Sequence, residues 1–444
     1  MAELLSINAA HLVSSISSIK LKSRTLQEWL AWQRFLHRKP IELGLERVGK
    51  VAERLSLTQP RHAVITVAGT NGKGSCVAML ESILVAAGYR VGSYTSPHFL
   101  RYNERVRIRG QEVTDGALCD AFARVDRARE AISLSYFEFG TLAAMCLFED
   151  ANLDIALLEV GLGGRLDAVN VQDTDLAVIT SIGLDHTEWL GIDRESIGFE
   201  KAGILRGHAP VVCGDSDPPK SVIDRAKALQ SPQYYLGRDF HYRNSGDTWV
   251  WEGPQLGWTD LPIPGLQGEV QLRNASTVLM CLNLLRDRFS VDRQAIHQGL
   301  RAVHLPGRFQ RLQTPVETVV DLAHNPDAVR VLAENLRNRA SAGSTHVVFA
   351  VLADKDAGAM ARALVDTADF WYVAELQTER TLPNAELSAI VKNIGPHIHV
   401  NSFTTVTEAY AAAAAQASPF DRVVVFGSTL CVAEILEACP ATVR

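Results

Sequence analysis

The sequence predicts an α/β protein of two domains. The first is a P-loop ATPase-like domain with a mostly parallel sheet and a small antiparallel patch. The second is a Rossmann-like α/β domain. Three observations predict this. Apolar, β-rich runs at 62–68, 153–160, 175–182, 209–213, 316–322, 345–352, 369–376 and 421–427 alternate with helical patterns, as parallel sheets covered by helices require. A glycine loop, Gly69 to Ser75, joins the first of these runs to a helix. A Pro-Gly break at Leu305-Pro306-Gly307-Arg308 ends a helical stretch, and strand–helix alternation restarts from Gln313. The expected division is an N-terminal extension over 1–26, an ATP-binding domain over 27–305 and a C-terminal domain over 306–444.

Composition bounds the class. A chain of 444 residues exceeds one ordinary core, so two domains are the default. Hydrophobic residues at 47% and charged residues at 21% describe an ordinary soluble protein. A net charge of −6 argues against nucleic acid as a partner. No apolar run is long enough to span a bilayer, so no membrane is expected. The seven cysteines show neither a C-x-x-C pair nor metal spacing and read as free thiols in a reducing, cytoplasmic compartment. Met1 to Arg24 places Lys20, Lys22 and Arg24 at its end and interrupts its apolar residues with Asn8, His11 and Ser14. A secretory signal has the opposite order, so a leader or loose amphipathic helix fits better.

The glycine loop carries the strongest functional signal. The β-branched run Val64 to Val67 stops at Gly69, and helical spacing begins after Ser75 with Val77, Leu80, Ile83 and Leu84. Glycines let backbone N–H groups point at phosphate oxygens, and the helix N-terminus adds partial positive charge. Lys73 reaches terminal phosphates, so ATP is the expected ligand of Thr70, Asn71, Gly72, Lys73, Gly74 and Ser75. A strict Walker A loop has a hydroxyl residue directly after its lysine; here Gly74 intervenes before Ser75.

Four further clusters follow. Ser96, after the short run Arg90 to Ser93, offers an oxygen to a metal, although taken alone it reads better as a Ser-Pro turn. Glu159 ends an apolar strand, where nucleotide-binding proteins hold Mg²⁺; an ion-paired strand-end Glu is the alternative. Gly161, Gly163 and Gly164 then allow close approach of a ligand, with Arg165 and Asp167 projecting from the same turn. Asp185 and His186 follow the run 175–182 in the same way, though Mg²⁺ prefers oxygen and a hydrogen-bonded structural His is as good a reading. Glu200-Lys201 reads by itself as a solvated pair at a helix end. In the second domain Asn325 is an expected helix cap with Pro326 at the first position. Asp321, at a strand end, and Arg308, at the linker, place nucleotide between the domains.

Segment 231–265 departs from the alternation. Its Gly, Pro and Trp residues and short alternating runs, Tyr234-Tyr235 and Thr248 to Trp251, predict the antiparallel patch. The run Ala411 to Ala415 reads as a packed helix, because alanine is the strongest helix former.

In order, GTNGKGS (69–75), YTSPHF (94–99), YFEFGT (136–141), LEVGLGGRLDAVN (158–170), TSIGLDHTEWLG (180–191), EKAGI (200–204), LPGRFQ (305–310) and DLAHNP (321–326) resemble the folylpolyglutamate synthase and dihydrofolate synthase family, relatives of the muramyl amino acid ligases. The resemblance runs from about Gln27 to about Glu437 and implies roles residue by residue. Thr70 to Ser75 would hold the ATP phosphates, with Lys73 on the terminal ones. Ser96 and Glu159 match the ligands of one Mg²⁺, and His186 matches a ligand of a second. A monovalent cation such as K⁺ can accompany them. Lys201 matches a lysine carried as a carbamate, which makes Lys73, Lys201 and His186 the expected catalytic residues. Asn274 matches an adenine contact; Arg308 and Asp321 match ATP contacts, with His324 beside them. Leu43, Gly44, Leu45, Tyr136, Phe137, Leu166, Asp167 and Ala168 match the pterin-side contacts.

Two positions depart from the pattern. Val169 stands where a threonine is common, and the turn Phe426 to Leu430 lacks the aromatic and His often found after Gly-Ser. The implied reaction is ATP-dependent ligation of L-glutamate to dihydropteroate and to folates, through an acyl phosphate, by a monomer. A folate-only glutamate ligase, a muramyl-type ligase and a non-catalytic ATP switch are the competing readings. The leucine- and aromatic-rich motifs at 43–45 and 136–139 suit a flat pterin better than a nucleotide sugar. A switch has no need of Glu159, His186 and Lys201 together.

Overall fold

The computed structural model describes residues 24–39, 41–339, 341–395 and 398–439. Most of the expected N-terminal extension lies outside the described residues. Its last residues precede the helix Leu26–Leu36, which Thr25 and Glu28 open with a reciprocal capping box.

The sheet of the first half has eight strands. In chain order these are β1 (Ala63–Ala68), β2 (Val91–Tyr94), β3 (Val106–Ile108), β4 (Gln111–Glu112), β5 (Ile155–Glu159), β6 (Leu176–Ile179), β7 (Val211–Cys213) and β8 (Gln233–Tyr235). Their spatial order is β4-β3-β2-β5-β1-β6-β7-β8. From β2 to β8 every pairing is parallel; only β3 and β4 turn back at the edge. β1 is buried along its whole length, as a central parallel strand must be. Its alternate residues feed opposite cores: Val64 and Ala68 go to one, Ala63, Ile65 and Val67 to the other. The second core also receives the helix Lys73–Ala86, which starts at the glycine loop.

Segment 231–265 divides in a way its composition does not reveal. Tyr234 and Tyr235 belong to β8, on the parallel sheet, rather than to the antiparallel patch. The patch is a separate sheet of β9 (His241–Asn244), β10 (Thr248–Gly253) and β11 (Leu256–Pro262). Trp249 and Trp251 point from it into the core and are fully buried. The Trp251 indole N–H donates to the Ser276 carbonyl at 3.1 Å and Trp249 to Pro262 at 2.9 Å. The patch therefore props the helix Val270–Leu285, which carries Asn274.

The second half holds a six-stranded sheet of β12 (Gln310–Leu312), β13 (Glu317–Asp321), β14 (Thr345–Phe349), β15 (Phe370–Ala374), β16 (His399–Phe403) and β17 (Arg422–Phe426). The order is β12-β13-β17-β14-β15-β16, parallel except at β12. Phe349 and Phe426 stack at 4.6 Å in its centre. The alanine run lies in the helix Val406–Gln416, as its composition predicts; the helix buries Ala409 and, within the run, Ala413. β16 was not legible in the sequence: its residues are mostly exposed, so it lacks an apolar run. Among the described residues no helix is long and apolar enough to cross a membrane, and all seven cysteines are free.

Replacing Trp251 with Ala should cost about 3–5 kcal/mol, the usual range for emptying a large aromatic core position. Urea denaturation of the variant checks this. A midpoint equal to that of the unmodified protein contradicts the propping role.

Candidate active site

The carboxyl ends of β1, β5 and β6 and of β13 face one another, and there the polar residues collect. Between β1 and the helix Lys73–Ala86, Gly69 adopts φ 153° and Gly72 φ 90°. A Cβ at Gly72 would meet the Asn274 amide oxygen at 2.7 Å, and one at Gly69 would overlap the Thr180 hydroxyl. Only glycine fits either place. Gly72 caps the helix without a side chain, so its first N–H groups stay available to an anion. Thr70 is spent on shaping the loop: its hydroxyl bridges the carbonyl and N–H of Gly183 at 3.1 and 3.0 Å. The Asn71 carbonyl accepts from Thr180 at 2.7 Å and Ser181 at 3.0 Å. The Lys73 ammonium bends back over the loop to the carbonyls of Gly69 (3.0 Å) and Thr70 (3.2 Å). Burial lowers its pKa, against the pull of Glu159 and Asp185.

Glu159, only 5% exposed, ends β5. Its Oε2 accepts the Ser96 N–H at 3.1 Å, so the structure joins these two residues. Burial pushes its pKa up, with Lys73 and Ser96 opposing. A Cβ on Gly74 would stand 3.7 Å from the same oxygen, which places the carboxylate at the start of the loop helix. Among the described residues no three His, Cys, Asp or Glu gather to hold an ion. One buried carboxylate, one hydroxyl residue and an adjoining phosphate loop fit Mg²⁺, which takes few protein ligands and keeps water and phosphate oxygens.

His186 lies elsewhere than expected. β6 ends at Ile179, so Asp185 and His186 belong to the following loop and not to the strand end. His186 has φ 50° and starts the short helix Thr187–Leu190; burial lowers its pKa to about 4, leaving a neutral imidazole. Lys201 closes the helix Arg194–Lys201 and is 4% exposed, not solvated. Glu200 turns away from it to Arg165, at 2.9 Å, so the expected Glu–Lys pair does not form. Burial, helped by the neighbouring Lys73 charge, lowers the Lys201 pKa to about 7.

A cleft of about 670 Å³ opens between the halves, lined by Asn71, Gly72, Ser75, Asn274, Arg308 and Asp321 among others. Arg308 follows Gly307 at φ 69° and precedes Phe309 at φ 44°. Its buried Nε has no partner, as expected of a group awaiting a ligand. Both Asp321 oxygens take backbone N–H groups, from Phe309 (2.7 Å) and Ala323 (2.8 Å), so this carboxylate also shapes its loop. Burial raises its pKa and Arg308 opposes.

His324 faces Asp185 at 3.5 Å rather than the cleft lining. Asp185 also pairs with Lys355 at 2.7 Å, both side chains being 8% exposed. Asn325 donates to Asp185 at 3.1 Å and exchanges amide hydrogen bonds with Asn71 at 3.1 and 3.2 Å, while capping its helix. Sequence reasoning missed Lys355. It lies in Asp354-Lys355-Asp356, a charge run that reads as a solvated turn; its position beyond β14, at the carboxyl edge, was the available signal.

On the opposite side, the Gly44 N–H bonds the Leu166 carbonyl at 3.2 Å and joins segments 43–45 and 166–168. Leu43, Leu45, Tyr136, Phe137 and Leu166 are half-buried, with surface to offer a ring. The Phe137 ring covers Gly161, where a Cβ would stand 2.7 Å away. Asp167 instead turns inward, taking the N–H groups of Leu162 (2.8 Å) and Val169 (3.1 Å). Burial pushes its pKa to about 6. Ala168 is buried beside it, and Val169 is wholly buried, so the departure from threonine is a packing feature.

The chain is 42% identical to the dihydrofolate synthase/folylpolyglutamate synthase of Escherichia coli (strain K12) over 416 residues, 94% of this chain and 96% of that one. It belongs to the dihydrofolate synthase/folylpolyglutamate synthase family. Residues 307–429 match the Mur ligase, glutamate ligase domain. The fold is similar to E. coli FolC in complex with DHPP and ADP, with a TM-score of 0.89 at 42% identity, covering 94% of this chain and 98% of that one. It is also similar to a bifunctional folylpolyglutamate synthase/dihydrofolate synthase with Mn, AMPPNP and L-glutamate bound, with a TM-score of 0.86 at 44% identity, covering 94% and 98%. In this member of the family, the two halves therefore meet at Asp185.

Lys355→Met removes one side of that buried pair, a change that typically costs about 3–5 kcal/mol. Burial raises the Asp185 pKa, but His324, Lys355 and His186 outweigh it and hold the carboxyl below its ordinary range. A depressed carboxyl pKa contributes stability above the unfolded value of about 4 and loses it as pH falls further. Thermal melts from pH 7 to pH 3 check both points. The variant should melt lower at pH 7, and the gap should narrow in acid. Equal midpoints at pH 7 contradict the ion pair's role.

Proposed function

We propose that this chain joins L-glutamate to the carboxylate of dihydropteroate, and to that of folates already carrying glutamate, with conversion of ATP to ADP and phosphate. The observation that carries this reading is the cleft between the halves. One half supplies a phosphate loop and the buried Glu159; the other supplies Arg308 and Asp321. We take 27–305 and 306–444 as the two domains, acting as a cytoplasmic monomer.

In this reading ATP lies along the loop, with adenine toward Asn274 and Arg308 and Lys73 near the phosphates. The flat acceptor lies against Phe137, Tyr136 and the joined segments 43–45 and 166–168. The acceptor carboxylate attacks the γ-phosphorus, ADP leaves, and an acyl phosphate forms. The glutamate amine then attacks the acyl carbon and phosphate departs. Lys73 stabilises charge on the transferred group, and closure of the halves through Asp185 excludes the water that would hydrolyse it. Ser96 and Glu159 would hold one Mg²⁺ and His186 a second, and the ions would neutralise phosphoryl charge.

Lys201 would carry a carbamate, formed as its neutral amine attacks CO₂ and releases a proton. A pKa near 7 leaves a substantial share of that amine uncharged at neutral pH. Carbon-13 NMR of protein equilibrated with labelled bicarbonate should show one carbamate signal that Lys201→Arg abolishes. A spectrum unchanged by the substitution contradicts the assignment.

ADP release with each acceptor, with and without L-glutamate, tests the whole reading. Turnover should require ATP, glutamate and either acceptor. Lys73→Ala should lower it by roughly a hundredfold to a thousandfold, the range for losing one electrostatic stabiliser. Near-unmodified turnover in that variant contradicts the phosphate-loop role, and activity with folate alone removes dihydropteroate from the substrates.

A further inference from the structure

Arg105 is a buried cation that makes no ion pair among the described residues; the Glu159 carboxylate feels its charge but does not contact it. Arg105 ends the single turn Tyr102–Arg105, just before β3, and is 9% exposed. Its Nε donates to His98 Nδ1 at 2.7 Å. Guanidinium nitrogens only donate, so that imidazole nitrogen accepts and brings no anion. The guanidinium also lies over the Tyr102 and Tyr136 rings, 5.3 and 5.8 Å from their centres. The Tyr94 hydroxyl is a further polar neighbour. A buried charge without a contacting carboxylate is costly, and an incoming carboxylate would complete the pair.

Its place in the fold identifies that ligand. The Arg105 carbonyl accepts the Thr95 N–H at 2.9 Å, and the next residue, Ser96, donates to Glu159. On the other side Tyr136 is followed by Phe137, which covers Gly161. Arg105 thus stands where the flat aromatic-lined surface meets the phosphate end of the site. A molecule with an aromatic ring system at one end and a carboxylate at the other spans those two regions.

We propose that Arg105 receives the reacting carboxylate of the acceptor and positions it beside the phosphate loop, through the planar fork that suits carboxylates. This rests on the proposed ligase reading and adds to it a positioning residue for the acceptor.

The test is equilibrium binding of dihydropteroate and of its carboxamide analogue to the unmodified protein, Arg105→Met and Arg105→Lys, with ADP binding as the control. The unmodified protein should prefer the carboxylate by at least about tenfold, the scale of one charge-assisted hydrogen bond. Arg105→Met should lose that preference while ADP affinity stays within about twofold. Arg105→Lys keeps the charge without the fork and should fall between; it carries the test alone if the Met variant does not fold. A preference unchanged in the variants overturns the role of Arg105 and leaves the ligase reading standing. Raised KM for glutamate with unchanged dihydropteroate binding overturns it too, by assigning the cation to the other substrate. No binding of dihydropteroate to the unmodified protein overturns the ligase reading itself.

Discussion

The rest of the site depends on one buried carboxylate. Asp185 comes from the first half but finds its partners, Lys355, His324 and Asn325, in the second. Asn325 passes the connection on to Asn71, inside the phosphate loop. The loop is therefore held on both sides. Thr180, Ser181 and Gly183 fix it from within its own domain, and the second domain fixes it through paired amides. A carboxylate so placed is stable only while both halves are docked, which couples domain position to loop geometry.

Around this point the molecule gathers basic side chains that make no ion pair among the described residues. Arg308 presents a buried Nε without a partner, Lys73 bonds only carbonyls, and Lys201 is buried with its carboxylate neighbour turned away. Glu159, a carboxylate facing the loop, accepts the Ser96 N–H. Such a surface is poised for a polyanion accompanied by a divalent cation. It is rigid because Gly69 and Gly72 pack against Thr180 and Asn274, and because two buried tryptophans support the helix that carries Asn274.

Much of this was legible in the sequence, for identifiable reasons. Parallel strands are continuous apolar runs, so β1, β5, β13, β15 and β17 could be read with errors of a residue or two. The glycine loop could be read because its backbone admits little else. The family resemblance, rather than spacing, singled out Lys201 and Asn274 as candidates. Environment was what the sequence withheld. Lys201 looks like half of a solvated pair until the fold turns Glu200 toward Arg165. Asp167 looks like a ligand but is spent on the N–H groups of Leu162 and Val169. Lys355 is distant in sequence from Asp185, and only the docking of the halves makes them partners. Tyr234 and Tyr235 resemble the patch that follows them, and only the pairing with β7 assigns them to the larger sheet.

The central claim is that glutamate is joined through an acyl phosphate formed in the cleft between the halves. Its chemistry moves one acceptor oxygen onto the departing phosphate. The direct test uses dihydropteroate labelled with oxygen-18 in its carboxylate, with ATP, Mg²⁺ and L-glutamate. Mass analysis of the released phosphate should find one labelled oxygen for each amide bond formed. Product formation with unlabelled phosphate would contradict the acyl phosphate route and the account of the site built on it.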